Sequence, residues 1–228
     1  MSQETYPQVR LVPAPERGVW HLGKAKDPVR YNQIAAVDAD RSSGNRWSLV
    51  SGGTLYCASE FEGCFAEALA PFRVSSEMRE VIEDDWPEPS YMPPGHLPRD
   101  WRTRHTLVRL MPDKDARFLD VDDEDTLRSI HHRLRPTLAE LDIARLTHEH
   151  IQGSDRRVTR AIAAWAVDQC DSARRPLISG IVYRSRFAAR ECWAVFEPTP
   201  LTEVESQPIW PEMEGLRTVA KEYGLTIR

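Results

Sequence analysis

Residues 54–58 alternate between core and partner positions, with Leu55 and Cys57 on one side and Tyr56 on the other; Gly52-Gly53 stands in front, and the pattern predicts a strand. The spacing then turns helical. Phe61, Cys64, Phe65, Ala68 and Leu69 fall at i, i+3, i+4, i+7 and i+8, which predicts a helix with one apolar stripe. Ser59-x-x-Glu62 reads as a capping box at its start, and Pro71 ends it. Glu67 lies off the stripe, one turn beyond Gly63, whose missing side chain leaves room for another group to approach. Further strands are predicted at 19–22, 105–111, 180–184 and 192–197. Two short helices are predicted at 126–134 and 137–146, broken at Pro136. In the next helix, capped by Ser154, Val158, Ala161, Ile162, Trp165 and Ala166 form the inner face and Arg156, Arg157 and Arg160 point away. A closing helix runs over about 211–223, with Pro211 first and Gly224 beyond it. Residues 84–101 hold many prolines and read as a long surface loop or lid; its Trp86, Tyr91, Met92 and Trp101 serve either as an interaction surface or as pins to the domain.

No linker divides the 228 residues, so a single domain over 1–228 is expected. The net charge of −5 gives no broad attraction to nucleic acid or to an acidic membrane. Cys57, Cys64, Cys170 and Cys192 show no paired spacing and read as buried free thiols of a reducing compartment. The first residues lack the apolar core of a signal peptide, and no apolar run reaches the roughly 20 residues of a membrane helix; a cytoplasmic protein is expected.

Arg46 follows the turn signal Gly44-Asn45, where a guanidinium can grip a pyrophosphate through parallel hydrogen bonds; the plain alternative is a solvated arginine. Tyr56 can stack on a flat heterocycle with its hydroxyl free for a ribose or phosphate, or it is an ordinary core tyrosine. Glu67 can stabilise the positive charge that builds on a ribose as its N-glycosidic bond breaks, or it is an exposed helix glutamate. Ser185, between Arg184 and Arg186, can bond a carboxamide or phosphate, or simply end a strand. His148-Glu149-His150 lacks metal-ligand spacing, so no metal is expected.

Together these residues carry a resemblance. Asn45-Arg46-Trp47, then Gly53-x-Leu55-Tyr56-Cys57-Ala58, then Phe65-Ala66-Glu67 is similar to the RES-domain family, named for its Arg, Glu and Ser. A second block, Gly180 to Arg186 followed by Cys192-Trp193-Ala194-Val195-Phe196, resembles the serine-bearing strands of many members, and 159–166 resembles their helix. The resemblance covers about 18–200. It implies an α+β fold similar to ADP-ribosyltransferases, with a small split mixed sheet, flanked by helices, around a cleft. It implies a toxin of a bacterial toxin–antitoxin pair that consumes NAD as substrate, by hydrolysis or by phosphorolysis with inorganic phosphate. A cognate antitoxin would be the protein partner, and homo-oligomerisation is left open. A protein ADP-ribosyltransferase and a catalytically silent binding module of the same fold are the alternatives. By motif position the family arginine falls on Arg46, the aromatic on Tyr56, the glutamate on Glu67 and the serine on Ser185. Many members carry a further arginine at the end of the first strand; here the pair is Trp20-His21, and His21 is only partly charged at neutral pH.

Overall fold

The computed structural model describes residues 8–39, 45–50, 52–75 and 95–228. Its strands are β1 (Leu11–Pro13), β2 (Val19–Lys24), β3 (Thr54–Ala58), β4 (His96–Leu97), β5 (His105–Pro112), β6 (Arg117–Asp120), β7 (Gly180–Arg184), β8 (Glu191–Phe196), β9 (Leu201–Pro208) and β10 (Thr226–Ile227). Its helices are α1 (Phe61–Leu69), α2 (Arg99–Thr103), α3 (Glu124–Arg133), α4 (Arg135–Glu140), α5 (His148–Gln152), α6 (Arg156–Val167) and α7 (Glu214–Tyr223).

Eight strands form one sheet in the order β1-β6-β7-β8-β3-β2-β5-β9, while β10 and β4 pair separately. Within the large sheet β6 and β7 are parallel and the other pairs antiparallel. A parallel pair needs a crossover, and α3 to α6 lie in the chain between β6 and β7. The class is therefore mixed α+β, as the sequence suggests.

The sheet splits between β2 and β3. They pair only at Trp20 with Ala58 and His21 with Cys57. Beyond that point β2 keeps its ladder with β5 as far as Lys24, and β3 keeps its ladder with β8. Asn32 bridges to Thr54, closing the far end of the opening.

Strand alternation separates two cores. Leu55 and Cys57 join Val108, Val182, Trp193 and Val195 on one face. Tyr56 and Ala58 face the other way, with Ile181, Tyr183, Ala194 and the crossover residues Ile130, Val158 and Ile162. The helix α1 sends Phe65, Ala66 and Leu69 into a third cluster with Leu216, Val219 and Ala220 of α7. Burial of Phe65 and Leu69 stabilises this contact by about 1.5–3 kcal/mol each. Gly224 ends α7 at φ +64°, a left-handed position that suits glycine.

Several local expectations are corrected. The Ser59 capping box is absent: α1 begins after Glu60 with no side-chain cap. Ser59 instead donates to Glu191 and accepts from the Trp193 indole, which ties the β3–α1 corner to β8. Asp155, not Ser154, caps α6, its carboxylate accepting from the Arg157 N–H. The second short helix ends at Glu140, before Asp142 adopts a positive φ. Pro211 lies ahead of α7 rather than within it. Cys170 is exposed, whereas Cys57, Cys64 and Cys192 are buried and free. Of the expected 84–101 loop, residues 84–94 with Trp86, Tyr91 and Met92 lie outside the described residues, and the remainder forms β4 and the start of α2. Trp101 is buried and stacks on His105 at 4.5 Å, so it pins α2 to β5.

Candidate active site

The split between β2 and β3 opens into a cavity of about 290 Å³. His21 and Leu22 of β2, Tyr56 and Cys57 of β3, and Gly63, Cys64, Glu67 and Ala68 of α1 line it. The loop residues Asn32, Asn45 and Arg46, then Arg156, Tyr183, Arg186 and Cys192, complete the wall. Four of the five sequence-derived candidates, His21, Arg46, Tyr56 and Glu67, therefore meet around one space.

Gly63 allows α1 to reach this place. A Cβ there would lie 2.6 Å from the Ala58 Cβ, so the absent side chain admits the last residue of β3 and brings the helix, with Glu67, against the strand end. Glu67 is exposed on its residue-wide surface, yet one of its oxygens is held: Ser185 Oγ donates to Glu67 Oε1 at 2.5 Å. Ser185 is buried and its oxygen also accepts the Phe187 N–H at 2.9 Å. It stands behind Glu67 and is not part of the cavity wall.

Arg46 is not a solvated surface group. It is 9% exposed. Its Nη1 donates to the Ile151 carbonyl at 2.7 Å and its Nη2 to the Gln152 carbonyl at 3.3 Å, filling acceptors at the end of α5. Each terminal nitrogen of a guanidinium carries two N–H bonds, so donors remain for a ligand. Burial lowers the Arg46 pKa from its ordinary value, while Tyr183 and the Glu67 charge oppose that shift.

The Tyr56 hydroxyl is not free as expected. It accepts the Trp47 N–H at 3.0 Å and lies 3.5 Å from Ser48 Oγ, so it holds the 45–48 turn that presents Arg46. Burial raises its pKa, and the group stays protonated.

His21 spans the split. Its Nδ1 lies 2.7 Å from the Tyr56 carbonyl oxygen. A carbonyl only accepts, so this nitrogen carries the proton. The side chain thus serves a β3 acceptor beside the point where β2 and β3 diverge. Burial lowers the His21 pKa, which favours the neutral ring.

Two charged wall residues are not among the sequence-derived candidates. Arg156 stands at the first position of α6, where helical periodicity assigned it to the outer face, and Arg186 follows the β7 strand. With Arg46 they set three guanidiniums against the single carboxylate of Glu67 among the lining residues. Burial lowers the Arg156 pKa, and the charges of Arg46 and Arg186 push it the same way. Such crowding favours an anionic ligand of more than one negative charge. The expectation that Arg160 points outward is also corrected: it is buried and donates to the carbonyls of Asp38 and Ala39. His148 lies 2.8 Å from the Asp122 carbonyl, and His150 Nδ1 accepts the Thr147 N–H. No metal-holding group of His, Cys, Asp and Glu occurs among the described residues.

A family model described as the RES domain matches residues 18–212. Among curated proteins none matches the chain. Among solved structures, the chain is similar to one described as the crystal structure of the M. tuberculosis MbcT–MbcA toxin–antitoxin complex, at 13% identity over 94% of this chain and 92% of that one, with a TM-score of 0.44.

Proposed function

Since the chain belongs to the RES-domain family, we infer that its cavity binds NAD and breaks the nicotinamide–ribose bond. The observation that carries this reading is the meeting of Arg46, Tyr56 and Glu67, from three successive elements, around one cavity rich in guanidinium.

Arg46, with Arg156 and Arg186, takes the pyrophosphate, whose charge matches theirs. The Tyr56 ring packs beside the nicotinamide end, and its hydroxyl keeps the Arg46 turn in place. Loss of nicotinamide leaves positive charge on the ribose C1 and its ring oxygen. The Glu67 carboxylate, fixed by Ser185, stands ready to stabilise that charge and to hold a ribose hydroxyl. In this arrangement Ser185 is a positioning residue acting through Glu67. Neutral His21 adds shape and a hydrogen bond to the strand but no charge for phosphate.

Water or inorganic phosphate then takes the ribosyl group, giving ADP-ribose or its 1-phosphate. The biological setting we infer is a toxin that depletes NAD and is silenced by a cognate antitoxin. Incubating the purified protein with NAD, with and without phosphate, and separating the products tests the reading. Nicotinamide and ADP-ribose identify hydrolysis, and a phosphate-dependent second product identifies phosphorolysis. Label from NAD ending on protein would instead identify an ADP-ribosyltransferase.

A further inference from the structure

Tyr183 belongs to none of the roles assigned above. It sits in β7, only 6% exposed, with its ring tilted against Trp47 at a centroid distance of 5.5 Å. Its hydroxyl makes no hydrogen bond to any of the described residues. A buried phenol without a partner is destabilising unless a ligand or water supplies one. The space that Tyr183 lines is the cavity, and Glu67 lines the same space.

Its charge environment defines what it can meet there. Burial and the nearby Glu67 carboxylate raise the phenol pKa, so the group is a donor throughout the neutral range. Tyr183 and Glu67 line the same cavity with no hydrogen bond between them, and Glu67 Oε1 is already taken by Ser185. A donor and an acceptor thus face the same space. The group that satisfies both is a hydroxyl, which accepts from one and donates to the other. A phosphate oxygen only accepts and is repelled by Glu67.

We propose that Tyr183 is a substrate-binding residue: its phenol donates to a hydroxyl of the ribose beside Glu67, and the two side chains read that sugar together. This assignment rests on the NAD reading above.

The test compares Tyr183→Phe with the wild-type protein by calorimetric titration of ADP-ribose and of ADP. ADP keeps the adenosine and the pyrophosphate but lacks the second ribose. Phenylalanine keeps the ring that packs on Trp47, so the melting temperature is expected to stay within about 2 °C. Loss of one neutral hydrogen bond predicts about 3- to 10-fold weaker binding of ADP-ribose, with ADP affinity unchanged. Equal ADP-ribose affinity in both proteins would overturn the assignment, as would an equal loss for both ligands, which would mean that Tyr183 serves the phosphate end. If wild-type protein bound neither ligand, the NAD reading would fall and this assignment with it.

Discussion

Ser185 Oγ donates to Glu67 Oε1 at 2.5 Å, joining the end of β7 to the exposed side of α1. The bond fixes a carboxylate that would otherwise rotate freely on a helix surface, and it leaves the second oxygen for the cavity. Removing the hydroxyl frees Glu67 and strands the Phe187 N–H that Ser185 also accepts. Ser185→Ala is therefore expected to slow nicotinamide release about 10-fold at saturating NAD, a positioning loss, with a stability cost of about 1–3 kcal/mol for the unpaired donor. Steady-state kinetics and urea unfolding of the variant measure both.

The contact of Gly63 with Ala58 predicts a packing effect with a catalytic consequence. A methyl group added at 63 would meet the Ala58 Cβ at 2.6 Å, and neither atom is the tip of a flexible chain. Gly63→Ala is expected to push α1 off β3, lowering stability by about 1–3 kcal/mol and moving Glu67 from its place. Thermal melting together with NAD turnover checks this. A variant as stable and as active as the parent would show that the helix position is not set by this contact.

His21 makes stability depend on pH. Its pKa is lowered on folding from the usual 6.5, mainly by burial. The unfolded chain then binds more protons than the folded one below about pH 6.5, so stability falls as pH drops through that value. His105 and His131, whose pKa values are also lowered, act in the same direction. His21→Gln removes the titrating group, and its melting temperature is expected to fall less steeply between pH 7 and pH 5 than that of the parent. Parallel pH slopes for the two proteins would contradict the assignment of that dependence to His21.

The thiols differ in access. Burial raises the pKa of Cys57, Cys64 and Cys192, and all three line the cavity wall, while Cys170 is exposed. Ellman's reagent is expected to titrate one thiol rapidly in the native protein and four in denaturant. A Cys170→Ser variant should lose the rapid reaction.

Parts of this arrangement are legible in the sequence because they are local. The switch from alternation to helical spacing marks β3 and α1 and leaves Glu67 off the buried stripe. The two strand motifs around Ser185 mark β7 and β8. What the sequence hides is set by long-range contacts. Arg156 looks like an outward residue because periodicity describes a helix in isolation, whereas its first turn faces the cavity. The Tyr56 hydroxyl looks free until the 45–48 turn folds over it. The edge strand β9 carries Thr202, Glu203 and Ser206, with little apolar pattern, and is held mainly by its ladder with β5. The split itself depends on where β2 stops pairing with β3, which no short window of residues encodes.

The most direct measurement is nicotinamide release from NAD by the wild-type protein and by Glu67→Gln. The substitution keeps the size and an acceptor for Ser185 but removes the negative charge. Wild-type protein is expected to consume NAD, and the variant, equally folded by circular dichroism and melting, to be slowed about 100-fold or more, in line with losing a preorganised charge at the reacting centre. Full activity in Glu67→Gln, or intact NAD after prolonged incubation with wild-type protein, would contradict this expectation.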